Sequence, residues 1–426
     1  MRKWLLILTI FLALALSVTG CKGTPQNTTS KEEHVTNIKF WHSLGGQNEK
    51  VIQSLIADFN TSHKDIHVEG LYIPPAERIP KILSAIAAGS PPDVATLSPQ
   101  EMSSVVSSGA LAPVDKLAKP GQFVKEDFYP GPLHAVTYNN KIYGVPISVG
   151  DVCLYINRDL FKAAGLDPDK PPQTWNELLE YASKLTKPEK NQWGILLPTN
   201  PVLWTTEIWS AFIRQAGGQF LDDEKSLATF NSEAGVKALQ LWVDLTQKYK
   251  AAPLIPIENQ PMMEQFQTGK YAMAINYPQW IEAAKAYSFP VSTAPLPKEK
   301  KYATTLGGWD LVIFNASKQK EAAWSFVEWL SSPENAVKWN IGMGSLPTSK
   351  KTMELPQYQE YVKKNPLVNA FVVSEPYSEV NSRHPKYNRA ALVVAQAIQA
   401  AIYGKEPAKV ALDNAAKEVN DLLSKK

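Results

Sequence analysis

Apolar positions recur along this chain in two alternating rhythms. Ile38-Lys39-Phe40-Trp41, the stretch 67–73 and the stretch 92–97 read as short strands. Between them, Val51, Leu55, Ile56 and Phe59 keep helical spacing over 48–60. Ile79, Ile82, Leu83 and Ile86 do the same over 78–88, ended by Gly89. A β-α-β-α-β run of this kind predicts a parallel or mixed sheet with helices on its faces. Ligands of such sheets sit beyond the carboxyl ends of the strands, so the loops 41–48 and 97–102 are the places to look.

A second block starts near Gly144, where Tyr143-Gly144-Val145-Pro146 leads into an apolar strand at 152–157. Residues 159–165 read as a short helix closed by Gly165, and Thr174 with Glu177 three positions on forms a capping box for the helix reaching Leu185. Further helical periods cover 203–216, 232–249, 262–268, 319–330 and 335–340, with a strand at 272–276. Pro-rich joints fall at 290–297 and 346–356. A chain of 426 residues exceeds one ordinary hydrophobic core, so two or three lobes are expected.

The first residues add a location. Arg2 and Lys3 precede an apolar run from Trp4 to Leu16, followed by Val18-Thr19-Gly20-Cys21, the layout of a secretory signal and too short for a membrane span. The ending resembles a bacterial lipobox, which implies cleavage before Cys21 and lipid attachment to it. Residues 1–20 are thus expected to be a signal peptide. The polar stretch 21–35 that follows is a lipidated flexible tether to the outer face of the cytoplasmic membrane.

Composition removes several classes. The net charge of +3, without a Lys/Arg-rich run, gives no footprint for nucleic acid. With Cys21 lipidated, Cys153 is the remaining thiol and sits in an apolar strand, where an inert core cysteine is expected rather than a nucleophile. His63 and His67 straddle a helix end and a strand start, with no glutamate beside His63, so they do not read as a zinc pair. No phosphate-cradling glycine loop, nucleophile elbow or Cys/His cluster is present, and the sequence calls for no metal and no cofactor.

Six stretches together resemble the extracellular solute-binding proteins of bacterial ABC importers, in the carbohydrate-binding group that includes maltose-binding protein. They are ILSAIAAGSPPD at 82–93, YGVP at 143–146 running on to LYINRDLF at 154–161, AGLD at 164–167 with TWNEL at 174–178, GKYAM at 269–273, EAAW at 321–324 through Leu330, and PKY at 385–387 followed by YGK at 403–405. The resemblance implies an α/β protein of the two-lobed periplasmic-binding-protein fold (type II-like), with mixed sheets, helices on both faces and several hinge crossings. It places 36–148 with 306–372 in one lobe and 149–305 with 373–426 in the other. It further implies a monomeric receptor rather than an enzyme, with a small-molecule carbohydrate as ligand and the transmembrane subunits of an ABC permease as partner.

A sugar ring offers apolar faces and a rim of hydroxyls, so its site needs aromatic planes and paired polar groups. Of twelve tryptophans, Trp175, Trp324, Trp329 and Trp339 fall on apolar helix faces and read as core. Trp41, Trp204, Trp280 and Trp309 sit at strand ends or loops, and Trp280 resembles the stacking tryptophan of the family. Polar partners are expected from His42, Ser43, Gln47, Ser98, Gln100, Asp151, Tyr277, Asp310 and Arg383, with Gly308 letting a ligand approach the backbone. The match to maltose-binding protein departs at Gly150, at Gln100 and Glu101, and near Ala391, so maltose-like binding is not implied.

Two alternatives stay open at this stage. Phe40-Trp41-His42-Ser43 also resembles the glycerol-3-phosphate-binding relatives, and Arg78 and Arg383 are available for a phosphate. A glycosidase would need two carboxylates flanking one bond, for which Asp151 and Asp310 are candidates.

Overall fold

The computed structural model describes residues 35–255 and 259–425, and the expected signal peptide, Cys21 and most of the tether lie outside them. Residues Val35–Lys426 form one compact unit. Among the described residues no helix is long and apolar enough to cross a membrane.

The opening run folds as its periodicity predicts. β1 (Thr36–His42) lies between β2 (Ile66–Tyr72) and β3 (Val94–Leu97), parallel to both. The crossovers are α1 (Gln47–Ser62) and α2 (Pro75–Ala87), and α3 (Pro99–Ser107) follows β3. Period-2 alternation sends Ile38, Phe40 and His42 inward, while Trp41 stays half-buried.

Two strands that the sequence reading passed over complete this sheet. Val145–Asp151 and Thr304–Ile313 pair antiparallel with each other, Thr304–Ile313 also pairs with β3, and Leu346–Pro347 closes the far edge. The sheet is therefore mixed, as expected. Pro146 lies where the register shifts between Trp309 and Asp310. A bulge is one of the few interior places that tolerates a residue without an N–H. Gly308 adopts φ +133° here, and a Cβ on it would lie 2.1 Å from the Ser148 carbonyl oxygen.

A second, smaller sheet runs Met273–Asn276, Cys153–Asn157, Val291–Ala294, all antiparallel. The stretch expected as a Pro-rich joint at 290–297 thus contains a strand. The central strand separates two cores. Leu154 and Ile156 join Trp209, Phe212 and Trp242 on one face. Cys153 and Tyr155 join Trp280, Tyr358 and Phe371 on the other. Burial on both faces explains why 152–157 reads as a continuous apolar run. Tyr358, Tyr361 and Phe371, which the expected division assigned to the first lobe, pack on this smaller sheet.

Only Val152 separates the last residue of one sheet from the first of the other. The Thr304 hydroxyl donates to the Val152 carbonyl at 2.8 Å, stitching that crossing to the start of the strand Thr304–Ile313. Helices pack on both sheets, and Tyr387–Ile402 with Ala408–Ser424 add Val394, Ile398 and Leu412 to the core under the smaller one.

Candidate ligand-binding site

The site is best built from the carboxyl end of β3. Ser98 starts α3, and its N–H donates at 2.8 Å to the Glu101 carboxylate. That capping contact turns Glu101 back toward α2, where Arg78 meets it bidentately. Nη2 donates to the two carboxylate oxygens at 2.6 and 2.7 Å, and Nε donates at 3.1 Å. Both side chains are buried, and Arg78 Nη1 makes no bond within the chain. The Arg78 guanidinium also lies 4.7 Å from the centre of the Trp309 ring. One turn on, Lys81 sits 5.5 Å from the Trp41 ring, so one face of α2 puts a cation over each tryptophan.

Asp310 follows Trp309 on the strand Thr304–Ile313, is 2% exposed, and leaves Oδ2 without a partner. Burial, reinforced by the nearby Glu101 carboxylate, raises its carboxyl well above the usual range. The helix Leu203–Gln215 brings Glu207 within electrostatic reach of Glu101 and Arg78. Burial pushes its carboxyl up to about 8, with Glu101 adding to the shift and Arg78 opposing it. Glu207 is half-buried.

Tyr277 continues the cluster. Its hydroxyl is buried without a partner and lies within the electrostatic reach of Glu207, Asp151 and Arg214. Its ring rests on Gly307, where a Cβ would come within 2.4 Å of Cε1. Asp151 is fully buried. Burial raises it to about 8, the Ser378 hydroxyl pulling the other way and Glu375 adding. Arg214 is anchored by donating to Asn381, to the Thr304 carbonyl and to the Thr305 hydroxyl, each at 2.7 Å.

A strap closes one side. The Arg383 N–H donates to Asp223 at 2.7 Å, while its guanidinium lies 4.2 Å from the Tyr138 ring centre. Arg383 Nη1 and His134 Nε2 are 2.9 Å apart, and Ser103 donates to the His384 carbonyl at 3.2 Å. The Tyr138 hydroxyl is buried and faces the Arg383 guanidinium, with Asp310 also within electrostatic reach.

The structure thus gathers Asp151, Tyr277, Trp309, Asp310 and Arg383 of the expected residues, with Gln100 beside them donating to the Leu306 carbonyl. Trp204 is half-buried with an unbonded indole N–H. Ser98 serves α3 as its cap, and Gln47 is exposed at the start of α1. Trp280 is packed differently from the expectation. It is 1% exposed, 5.4 Å from Tyr155 and stacked on Phe266 at 6.0 Å, so core packing accounts for it. Gly308 also serves the fold, because the space of its missing side chain is filled by the backbone of Ser148 and Val149 rather than left to a ligand.

Glu207 and Tyr138 were not read from the sequence. The signal for Glu207 was available: Trp204, Glu207 and Arg214 fall at 3- and 7-residue spacing on one face of an otherwise apolar helix.

His42 and Ser43 form a separate buried pair at the end of β1, with His42 Nε2 and Ser43 Oγ unbonded. Burial lowers the imidazole from 6.5 to about 4. The folded chain therefore refuses a proton that the unfolded chain takes up below pH 6.5. The associated stability is complete above that pH and is lost as pH falls toward 4, by about 3 kcal/mol. His42→Gln is expected to lose correspondingly less stability than the parent between pH 7 and pH 4. Urea denaturation at both pH values checks it, and parallel losses in the two proteins would refute the assignment.

The glycosidase alternative meets a register problem. Asp151 pairs with Leu306, four residues before Asp310 on the same strand. The offset separates the two backbones by about 13 Å, since a strand rises about 3.3 Å per residue. Even with each side chain reaching about 3 Å toward the other, the carboxyls stay farther apart than the about 5–5.5 Å of a retaining glycosidase.

Comparison with known proteins narrows the class. A probable amino-acid ABC transporter periplasmic-binding protein of Sinorhizobium fredii is 29% identical, over 54% of this chain and 53% of that protein. The chain thus spans about half the length of that relative. The sn-glycerol-3-phosphate-binding periplasmic protein of Pectobacterium atrosepticum is 26% identical over 91% of each chain. Among solved structures, an ABC transporter solute binding protein from Thermotoga lettingae bound with alpha-D-tagatose is 29% identical and superposes with a TM-score of 0.81, covering 91% of this chain and 100% of its own. The family model for bacterial extracellular solute-binding proteins matches residues 45–337, and the chain belongs to that family.

Proposed function

We propose that this chain is the lipid-anchored receptor of an ABC importer for a carbohydrate, tethered through Cys21 to the outer face of the cytoplasmic membrane. Two lobes, one around each sheet, close on the ligand and present it to the permease as a single chain. The closed arrangement is favoured because only it lets ligand touch α2, α3 and Trp309 on one side and Glu207 and Tyr277 on the other. Trp309, Asp310, Arg78, Glu207, Tyr277, Asp151, Tyr138 and Arg383 would contact ligand or frame the cleft. The observation that carries this reading is a set of donors and acceptors, Arg78 Nη1, Asp310 Oδ2 and Tyr277 OH, buried without partners, with the Trp309 ring against the Arg78 guanidinium. A hydroxyl-bearing ring supplies both the stacking plane and the mixed hydrogen bonds that such a set lacks.

A phosphate ester fits less well. Arg78 already spends its charge on Glu101, and a phosphate there would face Asp310 and Glu207.

The test is a thermal-shift panel of mono- and oligosaccharides, polyols and glycerol phosphates on the full chain in detergent. A ligand present at a hundredfold excess over Kd stabilises the fold by about 2.7 kcal/mol. Trp309→Ala is expected to weaken the active sugar roughly 10- to 100-fold, by loss of apolar area and ring contact. A response confined to glycerol phosphates would replace the carbohydrate reading.

A further inference from the structure

One segment of the chain bridges two of the hydrophobic cores. After Ser378–Glu379 pairs with the first residues of Thr304–Ile313, residues 380–386 run toward the helix Tyr387–Ile402. Arg383 and His384, in the middle of this strap, each hold an element on either side. The Arg383 N–H donates to Asp223, and the His384 imidazole lies 3.2 Å from the Ser226 hydroxyl. Asp223 and Ser226 belong to the turn of a hairpin whose Leu221 and Ala228 are buried in the core under the smaller sheet. On the other side, the Arg383 guanidinium covers the Tyr138 ring, and the His384 carbonyl accepts from Ser103 of α3. Tyr138, with Met102 and Val105 of α3, packs among Leu97 and Val312 of the larger sheet.

The contact that completes the strap carries a chemical condition. Arg383 Nη1 and His134 Nε2 are 2.9 Å apart. A guanidinium donates and never accepts, so Nε2 is the unprotonated acceptor and the ring proton sits on Nδ1. Proton uptake at Nε2 turns that hydrogen bond into two facing cations. Arg383 is the charged group that the imidazole meets from the strap. On its own helix, Pro130–Ala135, Glu375 approaches Gly131. Of the strands and helices packed on that helix, α3 brings Glu101, already bonded to Arg78, and Val145–Asp151 brings Asp151. His384 is placed differently, with Asp223 near enough to favour its charge. Partial burial first and Arg383 second hold the His134 imidazole below its ordinary value of 6.5. The bond to Arg383 is therefore complete at neutral pH and is lost as pH falls below that value.

We propose that Arg383 is a latch between the two cores, one that holds while His134 is neutral and opens when His134 takes up a proton. The latch belongs to the ligand-free chain, and only its consequence for the cleft rests on the receptor reading above. That consequence runs through Tyr138, whose hydroxyl faces Arg383 and has Asp310 within electrostatic reach. Arg383 is thus a positioning residue, and acidification loosens closure and weakens ligand binding. A solvent-facing contact of this kind shifts such an equilibrium by about two- to fivefold.

The experiment is amide hydrogen exchange on the ligand-free full chain in detergent at pH 7.5 and pH 5, with exchange times scaled for the intrinsic pH dependence. Peptides covering 378–386 and 134–142 are expected to lose protection by about two- to fivefold at pH 5, with the buried strand Cys153–Asn157 as internal reference. His134 is exposed, so its substitution leaves the cores untouched. His134→Gln keeps an acceptor that does not titrate, and its strap should stay protected at both pH values. His134→Arg carries the charge permanently, and its strap should be open at both. Equal protection of the parent strap at the two pH values overturns the latch, and so does an equal acid loss in His134→Gln. The sugar selected by the thermal-shift panel is then titrated at both pH values. Weaker binding at pH 5 in the parent but not in His134→Gln supports the link to the cleft, and unchanged binding despite an open strap overturns that link. A strap that opens with acid in a chain that binds no sugar leaves the latch standing and removes the carbohydrate reading.

Discussion

Replacing Arg78 by methionine is expected to cost the fold about 3–5 kcal/mol, the size seen when one partner of a buried ion pair is removed. The side chain holds three things at once. It satisfies Glu101 through both carboxylate oxygens, lies against the Trp309 ring, and is the charge opposing the upward shift of Glu207. Without it Glu101 is a buried carboxylate whose surviving contact is the N–H of Ser98. The second substitution Glu101→Leu in the same chain should restore most of the loss, because replacing both partners by apolar groups is often neutral or better. Urea denaturation of the parent, both single variants and the double variant gives the coupling directly. If Arg78→Met falls within about 1 kcal/mol of the parent, the pair is not the strut described here. The double variant should bind no ligand even though it folds, since the wall of the cleft beside Trp309 is then apolar.

The parts of this architecture that were readable are those in which local pattern and tertiary environment agree. β1, α1, β2 and α2 each bury one face, so their periods of 2 and 3.6 survive in the residues. The capping box at Thr174 was readable for the same reason, and the Glu177 carboxylate does accept from the Thr174 N–H at 3.1 Å. The two central strands at the crossing were not. Val145–Asp151 carries Pro146 and Gly150, and Thr304–Ile313 carries Gly307 and Gly308, all of them signs of a loop. Their reasons are tertiary: the Pro278 ring lies where a Gly150 side chain would be, and Tyr277 does the same at Gly307.

Trp280 illustrates a different limit. An aromatic plane at a strand end serves a ligand and a core equally well, and nothing local reveals that Tyr155 and Phe266 close on it. Glu207 failed in the opposite direction. Its position on a strongly apolar helix was visible, but the acid and arginine that give it meaning come from α3 and α2, at least a hundred residues away.

Gly308→Ala is the substitution expected to damage the protein most. At φ +133° an alanine is already strained, at about 1–3 kcal/mol for such a backbone. Its Cβ would also stand 2.1 Å from the Ser148 carbonyl oxygen and 2.9 Å from the Val149 Cα. Both are backbone atoms of the paired strand, so no side-chain rotation relieves the clash. The two central strands must separate, for a total loss of about 4 kcal/mol or more. Gly121→Ala is the control, because Gly121 has φ +88° with open space around it. That variant should lose only about 1 kcal/mol, the backbone contribution alone. The bulge displaced in Gly308→Ala is the one that orients Trp309 and Asp310 on successive positions. Any fraction of the variant that folds should therefore bind ligand more weakly as well, while Gly121→Ala binds as the parent does. Equal urea midpoints for the two variants would show that the strands yield at little cost, and that the bulge is a flexible joint rather than the rigid support of the cleft.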